Sequence, residues 1–146
     1  AETGPLLASL RSAATVADIV VLAVRGAVAI EVVGDLAAAI GDAPLVDCTN
    51  GPVPTGANSL GEAIAATAPG VAVAKAFNTI GANRMRSPEF PDGVASMLIC
   101  GDDAAVSVAT GQIGRAHVVR PNSPGESDAS TVATSGSDCS ACGESA

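Results

Sequence analysis

The sequence predicts an α/β protein built on a parallel sheet with helices on its faces, followed by a disordered tail. Three observations carry that expectation. Residues 17–24, 44–48 and 71–77 are near-continuous apolar runs, the pattern of strands buried on both faces. Stretches with helical periodicity separate them, and such alternation gives a parallel sheet with right-handed crossovers. From Pro121 onward Ser, Gly, Ala and acids dominate, and Val132 is the one branched aliphatic residue. That is too little apolar surface to offset the entropy of ordering. The expected division is a partial α/β domain over residues 1–120 and a Ser/Gly-rich tail over 121–146.

Composition narrows the function classes. A chain of 146 residues is long enough for one domain with a core. Phe77 and Phe90 are its only aromatic residues, so that core must be built from Ala, Val, Leu and Ile. Fifteen acidic against seven basic residues give a formal charge of −8, which repels phosphate backbones and argues against a nucleic-acid partner. The longest apolar run, residues 19–30, is interrupted by Arg25 and falls short of the ~18 residues a membrane span needs. The N-terminus lacks a basic segment of the signal-peptide kind. The four cysteines are then expected as thiols of a cytoplasmic protein.

The elements follow in order. Residues 5–14 carry Leu6, Leu7 and Leu10 at helical spacing, with Pro5 suited to a first turn. The strand at 17–24 is broken by Arg25-Gly26. A helix over 27–40 is expected to bury Val28, Val32, Leu36 and Ile40 and to turn Glu31 and Asp35 to solvent, with Gly41 as its stop. The strand at 44–48 leads into a Gly- and Pro-rich loop over 51–58. Ser59 and Glu62 then have capping-box spacing ahead of a helix that ends at Pro69-Gly70. After the strand at 71–77, residues 83–93 read as polar and irregular. A further strand is expected at 96–100, and Asp102 is expected to cap a helix burying Ala105, Val108 and Ala109. Residues 117–120 suit a last short strand.

Three strands end in polar or glycine-bearing loops: Val24-Arg25-Gly26, Thr49-Asn50-Gly51 and Asn78-Thr79. In a parallel sheet these loops share one edge, and ligands lie beyond the carboxyl ends of the strands. The groups they offer are amides, hydroxyls and one guanidinium; Asp47 and Lys75 lie within strands. Acid–base or nucleophilic chemistry needs a titratable group tuned near the working pH. Hydride transfer needs instead two ring systems held face to face in a dry pocket.

ADIVVLAV, VDCTN, VAVAKAFNTIGANRM, a Pro-Glu-Phe-Pro segment and MLICGDDAA, in this order, resemble the F-420-dependent NADP oxidoreductases, which reduce the deazaflavin coenzyme F-420 with NADPH. Pyrroline-5-carboxylate reductases belong to the wider superfamily. The resemblance covers roughly residues 17–110, and AFNTIGA together with CGDDA is its most specific part. It implies a Rossmann domain that binds NADP with the deazaflavin stacked on the nicotinamide. It further implies that Val24 and Arg25 lie against the dinucleotide, that Thr49 and Asn50 line the nicotinamide side, and that Asn78 and Ile80 border the meeting place of the rings. The implied partners are small-molecule redox cofactors, and a homodimer is implied through a C-terminal segment that this sequence does not show.

The sequence also departs from that family. The family opens with a strand and a glycine-rich turn whose amides hold the pyrophosphate, and no such turn stands before residue 17. Nor is there a βα unit for the 2′-phosphate. Arg25 and Gly51 stand where the family usually has Pro, and beyond Asp103 the family's longer helix gives way to GQIGRAH and the Ser-rich tail. An interior fragment with an unrelated or frame-shifted end is the expectation. Two functions follow: hydride transfer between NADP(H) and a deazaflavin, or a non-catalytic truncated α/β remnant that binds nucleotide weakly or not at all.

Structural roles compete at several positions. Arg25 suits a solvated surface charge, Asn78 a turn-amide acceptor, Ile80 the core, and Asp102-Asp103 a helix cap. Cys48 and Cys100 fall on strands as small core residues. Cys139 and Cys142 form a single CxxC and His117 is the only histidine, so no metal site is expected.

Overall fold

The computed structural model describes residues 3–79, 81, 89–90, 93–94, 99–101 and 105. The elements are α1 (Thr3–Thr15), β1 (Val20–Leu22), α2 (Gly26–Ile40), β2 (Leu45–Asp47), α3 (Leu60–Thr67), β3 (Val73–Lys75), β4 (Glu89–Phe90), β5 (Gly93–Val94) and β6 (Cys100–Gly101). The expected tail over 121–146, the strand at 117–120, Asp102 and its helix partners Val108 and Ala109 lie outside the described residues.

β1, β2 and β3 pair in parallel, in register: Leu22 stands opposite Asp47, and Asp47 opposite Lys75. The order β1-β2-β3-β6 steps in one direction across the sheet. Successive right-handed crossovers in one direction bring their helices to the same face. Accordingly α2 and α3, with Ala14 of α1, share one apolar cluster with Leu22, Leu45 and Val73. Their strand neighbours Val46 and Ala74 point to the opposite face, where they meet Ala76, Ile99 and Ala105. Burying an aliphatic side chain such as Leu45, Val33 or Ile64, each at most 1% exposed, contributes about 1.5–3 kcal/mol.

Two expectations are corrected. The sheet is not wholly parallel, because β6 runs antiparallel to β3. Gly101 makes that pairing close: at φ 137°, an added Cβ would stand 2.7 Å from the Ala74 Cα. The stretch read as irregular holds the antiparallel β4–β5 ladder, with Glu89 opposite Val94 and Phe90 opposite Gly93.

The stripe that α2 buries is Gly26, Ala29, Val33, Leu36 and Ile40, with Val28 and Val32 only half-buried. Spacing of four throughout drifts by about 40° per step, or about 120° from Val28 to Ile40. Steps of four, three and four hold Ala29, Val33, Leu36 and Ile40 on one line. On the solvent side Arg11 Nε donates to the Asp35 carbonyl at 3.0 Å, linking α1 to α2 through exposed groups that contribute little.

α3 starts as its sequence dictates. The Ser59 hydroxyl accepts from the Glu62 N–H at 3.1 Å. The Glu62 carboxylate reaches one residue beyond the capping-box position and accepts from the Asn58 N–H at 3.3 Å. Cys48 is a free thiol. Cys100 is disulfide-bonded, which corrects the expectation of thiols throughout. No helix among the described residues is long and apolar enough to cross a membrane.

Candidate functional site

Because β1, β2 and β3 are parallel and in register, their carboxyl ends lie on one edge of the sheet and the three polar loops follow from them. Val24 (37% exposed) and Arg25 are exposed, Asn50 is exposed, Asn78 is half-buried, and Thr49 is buried at 1% exposure. Ile80 lies outside the described residues.

The first two loops meet through their backbones. Gly26 N–H donates to the Asn50 carbonyl at 3.2 Å. An added Cβ on Gly26 would stand 2.4 Å from that oxygen, and one on Gly51 would stand 2.7 Å from the Gly26 Cα. Only two glycines allow this approach. The α2 N-terminus consequently opens beside Asn50, and its cap residue Arg25, extended at φ −63° and ψ 133°, makes no side-chain cap hydrogen bond.

Beneath the second loop lies a charge pair set in apolar strands. Lys75 Nζ stands 2.9 Å from Asp47 Oδ2, with side-chain exposures of 8% and 0%. The same ammonium donates to the Thr49 carbonyl and lies 3.5 Å from Thr49 Oγ1. Asp47 Oδ1 accepts from the Thr49 N–H at 2.8 Å. The three protons of the ammonium thus face three acceptors, and both carboxylate oxygens are engaged. No buried side-chain nitrogen or oxygen among the described residues lacks a partner. Gly61, in the first turn of α3, covers the Lys75 stem: an added Cβ there would lie 3.9 Å from the Lys75 Cβ.

The sequence placed Asp47 and Lys75 in strands and looked to the loops for chemistry. The available signal was the lone charge in each of two apolar runs, since a charge buried in a sheet must be paired. Their opposition follows only once the register is known.

The third loop leaves β3 through a backbone turn rare for its residue type. Ala76 N–H donates to the Asp47 carbonyl at 2.9 Å, and Phe77 then takes φ 58°. A non-glycine residue in this region costs on the order of 1–2 kcal/mol, and such strain gathers at binding and catalytic sites. Phe77 packs against the apolar cluster on the face away from α2 and α3, and Asn78 follows it. Burial pushes the Cys48 thiol up, with the Asp47 charge adding to the shift and the Lys75 charge opposing it. A half-buried thiol of this kind stays protonated at neutral pH and is a poor nucleophile.

Three parallel strands joined by helix-bearing crossovers, with polar loops gathered at their carboxyl ends, define a Rossmann-type domain, and comparison with solved structures agrees. The crystal structure of a putative F420-dependent NADP-reductase from Arthrobacter sp. FB24 is similar at 30% identity and a TM-score of 0.61, over 73% of this chain and 54% of that one. A hypothetical protein, SMa0349 from Sinorhizobium meliloti, shares the fold at 23% identity and a TM-score of 0.55, over 72% of this chain and 55% of that one. The chain spans just over half the length of either structure. The first likeness supports the NADP-reductase family at the level of the fold. No protein-family model and no curated protein matches the chain.

Proposed function

We propose that this chain forms the nicotinamide-side part of an NADP-dependent oxidoreductase that moves a hydride between NADP(H) and a deazaflavin of the F-420 type. The observation that carries the reading is the convergence of three in-register strand ends on loops that present amides, hydroxyls and a cation. The similar structure named for an F420-dependent NADP-reductase supplies the cofactor pair.

The groups present fit such ligands. Arg25 is an exposed cation beside a helix start that its own side chain leaves uncapped, a place suited to a phosphate. The glycine contact between the first two loops lets backbone, rather than side chains, form the floor beside Asn50. In this reading Val24 and Arg25 lie against the dinucleotide, Thr49 and Asn50 line the nicotinamide side, and Asn78 and Ile80 border the place where the rings meet. The cofactors supply the hydride chemistry, and the chain supplies position and exclusion of water.

Titration of the purified chain with NADPH tests the proposal. Saturable binding is expected, with NADPH-dependent reduction of F-420 as the stricter readout. No detectable binding at millimolar NADPH would sink the enzyme reading and leave a non-catalytic α/β unit.

A further inference from the structure

The Lys75–Asp47 pair is remote from solvent and is none of the loop groups assigned above, yet it touches both ends of one loop residue. Asp47 accepts from the Thr49 N–H and Lys75 donates to the Thr49 carbonyl, so the peptide groups on either side of Thr49 are held by one charge pair. The next carbonyl along, that of Asn50, accepts from Gly26 N–H at the start of α2. A continuous path of polar contacts therefore runs from β3, through the loop after β2, to the loop after β1.

We propose that Lys75, braced by Asp47, is a positioning residue that sets the course of the 49–51 loop and, through Asn50, the placement of the α2 N-terminus against a bound dinucleotide. The ligand in this proposal rests on the dinucleotide reading above; the geometry does not.

A buried ion pair is poor at stabilising a fold for its own sake. Desolvation of the two charges offsets most of their attraction, and well-packed apolar residues of similar volume often do as well or better. β2 and β3 are otherwise apolar over Leu45–Asp47 and Val73–Lys75, so an aliphatic pair would suit the sheet. What an aliphatic pair cannot do is hold the two backbone groups of Thr49. The pair is neutral as a unit, so its contribution to an anionic ligand is the shape of the loop rather than long-range attraction.

The test uses the whole 146-residue chain carrying Asp47→Leu together with Lys75→Met. Urea unfolding, amide hydrogen exchange and NADPH titration are read in parallel. The expected result is an unfolding midpoint near that of the wild type and unchanged protection at Val46 and Ile64. Exchange should become faster at Thr49 and Gly26, and NADPH binding roughly tenfold to a hundredfold weaker. A folded double variant with wild-type exchange at Gly26 and wild-type NADPH affinity overturns the proposal.

A second pair, Asp47→Asn with Lys75→Met, keeps the acceptor for Thr49 N–H and removes the link to the Thr49 carbonyl. Protection should there persist at Thr49 and fall at Gly26. If neither pair folds, the role is fold-wide and the loop-specific proposal fails. Absence of NADPH binding by the wild type sinks the dinucleotide reading alone, and the Gly26 exchange comparison then decides the positioning role by itself.

Discussion

α2 and α3 both leave strand-end loops, and they begin in opposite ways. α3 closes its own start: the Ser59 hydroxyl accepts from the Glu62 N–H in the first turn, the Glu62 carboxylate accepts from the Asn58 N–H just before the cap, and Glu62 puts negative charge at the positive end of the helix. α2 has a cation at the cap, no side-chain cap hydrogen bond, no acid in its first turn, and a glycine pressed against a second loop. By local rules its start is unfavourable. A Ser or Asp cap contributes about 1 kcal/mol that α2 forgoes. Tertiary contact replaces the cap: the Asn50 carbonyl receives Gly26 N–H, and Asn50 follows the residue held by Lys75 and Asp47. A helix start held by a neighbouring loop keeps its surroundings free for something else, whereas a self-capped one does not.

Four experiments would break or sharpen that contrast. The largest effect belongs to Lys75→Met alone, which leaves the Asp47 carboxylate buried without its cation; about 3–5 kcal/mol should be lost in urea unfolding. A loss below about 1 kcal/mol would mean that the Asp47 carboxylate does not depend on the Lys75 ammonium for its burial. Next come two matched glycines in the first turns. Gly26→Ala drives a Cβ into the Asn50 carbonyl, at an expected cost of about 1–3 kcal/mol. Gly61→Ala places its Cβ at an ordinary 3.9 Å from Lys75. It should instead stabilise by up to about 1 kcal/mol through helix propensity. Equal effects at the two positions would erase the distinction.

Ser59→Ala removes the α3 cap and should cost about 1 kcal/mol by the same assay, with NADPH binding untouched. The smallest change is Arg25→Asp, which gives α2 the kind of cap α3 has. A gain of about 0.5–1 kcal/mol is expected together with weaker NADPH binding. Gain without loss of affinity would count against a phosphate near Arg25.

The contrast also explains what could be read from the sequence. α3 was legible because its start is written in neighbouring residues, Ser59 and Glu62, and the parallel core of the sheet was legible as apolar runs. The direction of β6 was not, since a short apolar run in the sequence reads the same both ways. The phase of the α2 stripe was missed because Ala29, the residue that sets it, is small and carries little pattern, while Val28 beside it is larger but only half-buried. Of the candidate site, the loops at the strand ends could be named in advance because parallel strands must end together. The charge pair beneath them could not, because Asp47 and Lys75 lie 28 residues apart and meet only through strand register.

The contact between Gly26 and Gly51 has a further consequence for anyone redesigning this domain. Each backbone occupies the space that the other's side chain would need, so each position requires glycine whatever stands at the other. A library randomised at either alone should return glycine, and randomising both together should do no better, since neither substitution makes room for the other. A loop grafted after β1 or β2 should therefore be accepted only where it keeps glycine at the contact position.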